Sequence, residues 1–154
     1  MTRELLLFLH LAGVVVWIGG MAFAHWCMRP AAVATLEPAQ RLKLLCAALG
    51  RFFVAVAWAL VAIWVSGIAM FAQLSMAGGR PPLSWNLMAL IALVMTAIFA
   101  VIWLRPHPRM QAALADGDLP AAAAALDRIR RLVVVNLGLG FLTIAVATIG
   151  RLAN

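Results

Sequence analysis

Residues 4–30 read ELLLFLHLAGVVVWIGGMAFAHWCMRP, an almost unbroken apolar run. A helix needs roughly 20 apolar residues to cross a bilayer, so the stretch is long enough to span one. It is oddly decorated for a plain anchor. His10 and His25 are imidazoles, Cys27 and Met28 carry soft sulfur, and Gly19-Gly20 allows another backbone to come close. Lipid does not solvate an ionisable group, so one within a spanning segment points to a partner or a function. Ala22-Phe23-Ala24 has the small-residue pattern of a leader cleavage site. Against cleavage, the basic leader is Arg3 alone, offset at once by Glu4, and the apolar run is long for a signal. The stretch reads as an uncleaved helix.

Composition fixes the class. The 154 residues are 66% hydrophobic and 11% charged, with a mean hydropathy of +1.05. A soluble domain has roughly 45–50% apolar and about 25% charged residues, so this is a membrane protein. The net charge of +7 does not indicate nucleic acid, because the basic residues flank the apolar stretches, where headgroups and the insertion machinery read them. Two cysteines, Cys27 and Cys46, are too few for a disulfide framework.

Four segments qualify as spans, at about 4–28, 51–76, 85–104 and 131–151. Backbone polar groups must be satisfied within each segment, so all four are helices. The expected fold is all-α: a single integral-membrane four-helix bundle, residues 1–154, made of two similarly oriented helical hairpins. Helical extensions are expected at about 38–50 and 120–130, each starting at a proline that suits a first helical turn, with Asp118 placed to cap the second. The Gly78-Gly79-Arg80-Pro81-Pro82 turn is so short that the second and third helices should be antiparallel neighbours. Nine of the 12 basic residues fall in the two connections that follow the first and third helices, and Arg3, Arg80 and Arg151 lie at the other side. The nine-residue side reads as cytoplasmic. This predicts a multi-pass protein of a bacterial inner membrane with both termini outside, and free thiols on the reducing side.

Small and polar residues mark candidate packing stripes. They are His10, Gly13, Trp17, Gly20 and Ala24 on the first helix and Ala55, Ala59, Ala62, Ser66, Ala69 and Gln73 on the second. The third offers Asn86, Ala89, Leu93, Thr96 and Ala100; the fourth offers Asn136, Gly140, Thr143, Ala147 and Gly150. At about 100° per residue, Met21 and Met28 fall in line with His10, with Trp17 and His25 close by. Imidazole, thioether and thiolate are the ligand types that Cu(I) prefers. An outer metal group is therefore expected around His10 with Met70, Met76 or Met88, and an inner one at His25, Cys27 and Met28. Gln73 and Asn86 lie at the depth of His10 and could hydrogen-bond to it, and Trp17 could line a cofactor pocket.

A b-type haem is the alternative. His10 and His25 are separated by about 22 Å of helix, so they cannot clamp one iron within a monomer; a His–Met haem or one shared by a homodimer remains open. No acidic pair inside the membrane, no Gly-rich phosphate loop and no serine–histidine–acid set is present, and all five acids lie in tails or connections. Enzyme activity is accordingly left open, with the balance against it.

The run His10, Trp17-Ile18-Gly19-Gly20 and Arg29-Pro30, with re-entry after Arg51-Phe52 and the Ser66-Gly67 pair, resembles the CopD copper-resistance family. The resemblance implies copper uptake or tolerance, a periplasmic copper-binding partner, and a role for His10; the chain would be a short, four-helix member. A more distant likeness is to the HemJ-type protoporphyrinogen oxidases, which would imply haem. The only lysine, Lys43, lies in a connection rather than within a span.

Overall fold

The computed structural model describes residues 2–150, and the chain is helical nearly throughout. Four rods are long and apolar enough to cross a membrane: α1 (Arg3–Thr35), α2 (Pro38–Met76), the rod Leu83–Ala115, and α5 (Leu119–Ile149). The third rod bends into α3 (Leu83–Leu104) and α4 (Pro106–Ala115). This is an all-α multi-pass membrane bundle. Arg151, the last residue of the fourth expected span, lies outside the described residues. Apolar side chains that are exposed on the bundle, among them Phe8, Trp58, Ile68, Leu90 and Phe141, face where lipid would be.

The rods outrun the expected spans. α1 does not end at residue 28 but continues through Arg29-Pro30. It does so through two wider π turns, Val15–Gly19 and Ala24–Met28. In the second, the Arg29 N–H reaches the Ala24 carbonyl, five residues back, and so makes room for Pro30, which has no N–H of its own to offer. α2 runs unbroken from Pro38, so the expected extension and the second span are one helix. The basic segment after Leu104 is also helical rather than a loop. Arg105 (φ −121°, ψ −74°) breaks the ladder because Pro106 disfavours the helical conformation before it, and α4 starts at that proline. Gly117 (φ 75°) ends α4, and the Asp118 side chain accepts the Ala121 N–H at 2.9 Å to cap α5.

α1 packs on α2, and α3 packs on α5, giving two hairpin-like pairs; α4 lies against α5 and α2. The α1–α2 contact depends on Gly13, where a Cβ would sit 2.8 Å from the Ala59 carbonyl oxygen and from Ile63 Cγ1. On α5, a Cβ at Gly140 would meet Ile18 at 3.0 Å. The expected close pairing of α2 with α3 is not found among the tightly packed pairs. These two helices are joined instead by long side chains. Trp64 Nε1 donates to Thr96 Oγ1 at 3.2 Å, and Phe71 meets Trp85 edge-on at 5.3 Å. Bulky residues on facing helices hold the backbones apart and leave space between them.

The centre of the bundle is a column of rings. Trp17 meets Phe99 (6.5 Å), Phe99 meets Phe53 (5.8 Å), and Phe53 meets His107 (5.0 Å). Trp17 and Phe53 are 3% and 2% exposed, and Met21, Met95, Ile102 and Met110 fill the gaps around them. Rings and apolar side chains therefore fill the middle of the bundle.

Candidate functional site

At the end of the bundle that carries His10, the space between α2 and α3 is a cavity of about 580 Å³. α1 contributes His10 and Trp17, α2 Met70 and Trp64, α3 Met88 and Met95, and α5 Thr143. The rings of Trp17, Trp64, Phe71 and Trp85 enclose it, and Arg3 stands on its wall. Of the three histidines, only His10 lines it.

His10 is held by the facing helix. Its Nδ1 lies 3.2 Å from the Ile63 carbonyl oxygen and 3.1 Å from Ser66 Oγ. A carbonyl can only accept. The Ser66 hydroxyl proton goes back to its own helix, to the carbonyls of Ala62 at 2.5 Å or Ile63 at 3.1 Å. Nδ1 therefore carries the imidazole proton, and this network assigns the tautomer. Nε2 is left with its lone pair, the arrangement in which a histidine binds a metal. Gly67 gives the ring its room: a Cβ there would sit 3.6 Å from His10 Cε1.

The remaining sequence candidates divide. Met70, Met88 and Trp17 line the His10 cavity. Met76 is 88% exposed at the end of α2 and lies outside that lining. Gln73 and Asn86 are exposed and also lie off the cavity, so His10 takes its partners from Ile63 and Ser66 instead. Met95, which sequence reasoning passed over, does line the cavity, and its Sδ accepts from Thr143 Oγ1 at 3.9 Å.

The straight line from His10 to Met28 does not survive the two π turns. Each wider turn sets the helix back by one residue, about 100°, so Met28 trails His10 by roughly half a revolution. Met21 is buried in the core. His25 stands beside Trp26 at 6.3 Å, and Cys27 is exposed. Among the described residues, no group of three or more His, Cys, Asp or Glu side chains converges. The donors at the His10 cavity are instead one imidazole and thioethers.

Two buried polar atoms lack a hydrogen-bond partner among the described residues, His107 Nε2 and Asn136 Oδ1. His107, between Pro106 and Pro108 in the first turn of α4, is only 4% exposed. The signal that could have placed it on a helix was the proline pair, which suits the first turn of α4.

The chain matches the family model of copper resistance protein D (CopD) over residues 46–149. No curated protein matches it, and no solved structure does. The matched range takes in Ile63, Ser66, Met70, Met88 and Met95, whereas His10 precedes it. Neither finding supports haem.

Proposed function

This chain belongs to the copper resistance protein D (CopD) family, and from that premise we propose that it handles copper at the membrane by receiving Cu(I) in the His10 cavity. The observation that carries the reading is the contact of His10 Nδ1 with the Ile63 carbonyl and Ser66 Oγ, which assigns the tautomer. Donation from Nδ1 to Ile63 and Ser66 leaves the Nε2 lone pair unused, on a ring that shares its cavity with Met70, Met88 and Met95. One imidazole with thioethers suits a soft monovalent ion and poorly suits Zn(II) or Mg(II), which prefer harder or anionic ligands. In this reading copper is cargo rather than a resident cofactor.

The chain's own groups divide the work. Ile63 and Ser66 orient the ring, the thioethers complete the ligand shell, and the tryptophans keep water out. Arg3 on the cavity wall makes it a poor entrance for a bare cation. Entry by ligand exchange from a copper-carrying protein fits better, and a periplasmic copper-binding protein is the partner proposed. The excess of basic residues in the connections at the opposite end supports a cytoplasmic setting there, with the His10 end facing the periplasm of a bacterial inner membrane. The Trp17–Phe99–Phe53 column closes the middle, so passage of an ion would require the helices to shift, or a second copy of the chain.

The test is an anaerobic competition titration of the purified chain with a coloured Cu(I) chelator. Wild type should hold Cu(I) tightly, and His10→Ala should lose one ion. Equal copper retention by the two proteins would reject the site.

A further inference from the structure

At the opposite end of the bundle from His10, α2 and α4 enclose an open recess of about 440 Å³ lined by Lys43, Cys46, Gly50, Arg51 and Gln111. Cys46 is a free thiol, 8% exposed, and Gly50 follows it one turn later on the same face of α2. His107 of α4 faces that glycine. A Cβ at Gly50 would lie 3.6 Å from both Nε2 and Cε1 of His107. The ring is held edge-on against Phe53 at 5.0 Å, is 4% exposed, and leaves Nε2 without a hydrogen-bond partner. An unpaired nitrogen is costly to bury in an ordinary core, so a role that uses it has an energetic motive. Gly50 is thus the residue that both lines the recess with Cys46 and faces this nitrogen.

We propose that Cys46 and His107 form a second metal site, a thiolate–imidazole pair for Cu(I), across the gap at Gly50. Two ligands are enough for a soft monovalent ion, and a thiolate binds Cu(I) more strongly than thioethers do. Lys43 and Arg51 on the same recess repel a divalent ion more than a monovalent one. On binding, the thiol proton passes to solvent and the metal–sulfur bond takes its place. No electron is transferred. The site rests on the copper-handling reading and supplies what that reading lacks, a stronger acceptor at the far end of the bundle.

The experiment starts from the full chain carrying His10→Ala and Cys27→Ala, which removes the proposed first site and the other thiol. Under reducing, oxygen-free conditions this protein should retain one Cu(I) against the coloured chelator. Adding Cys46→Ala or His107→Phe should abolish that retention. Gly50→Ala is the variant that spares the fold, because its methyl group meets the His107 ring at ordinary contact distance; it should weaken Cu(I) binding by about tenfold or more. No retention by the starting protein, or equal retention by all the variants, overturns the inference. Failure of the first site reads out separately, as equal copper content in wild type and the single His10→Ala protein.

Discussion

His10 is the residue on which the account turns, and its role depends on a neighbour across the helix interface. Ser66 and the Ile63 carbonyl select the tautomer, so Ser66→Ala should leave the chain folded yet weaken Cu(I) binding by about 10–100-fold, the usual penalty for losing a ligand-orienting partner. The coloured-chelator titration measures it; unchanged affinity would show that the serine does not set the ring. Sequence reasoning could find His10 because an imidazole among apolar residues is conspicuous. It could not choose the partner. Gln73 and Asn86 sit at the right depth, but helix rotation turns them outward, and rotation follows from packing that no single helix encodes. Met95 was missed for the opposite reason, since a methionine in an apolar run carries no signal until neighbouring helices show which way it faces.

At the scale of the elements, the spans were legible from apolar length and their ends from proline and glycine. The π turns were not. The second lets α1 carry Pro30 without breaking, the first has no proline beside it, and a uniform turn angle misplaces everything beyond Gly19. The α1–α2 pair offers a sharp test. Gly13→Leu would drive a side chain into the Ala59 carbonyl and Ile63, at a cost of about 1–3 kcal/mol from overpacking. Thermal unfolding in detergent should show a lowered midpoint, whereas Gly19→Leu should show little change because nothing lies within 4 Å of a Cβ there. At the start of α5, Asp118→Ala removes the cap on the Ala121 N–H and should cost about 1 kcal/mol, read by the same measurement.

For the whole molecule, two hairpin-like pairs leave polar chemistry at both ends and a ring column between them. Composition alone gave the membrane class, and the small-residue stripe of α5 placed Asn136 and Gly140 correctly on a buried face. The cavity was not readable, because it exists only where Trp64, Phe71 and Trp85 hold α2 and α3 apart. If this architecture serves copper rather than haem, protein purified from haem-replete cells should show no Soret band before or after reduction; a band that shifts on reduction would contradict the copper reading. The most direct test of the central claim is X-ray absorption at the copper edge of the Cu(I)-loaded Cys27→Ala/Cys46→Ala protein. With both thiols removed, a first shell combining one imidazole nitrogen with thioether sulfur is the predicted result, and a shell lacking either the nitrogen or the sulfur would contradict it.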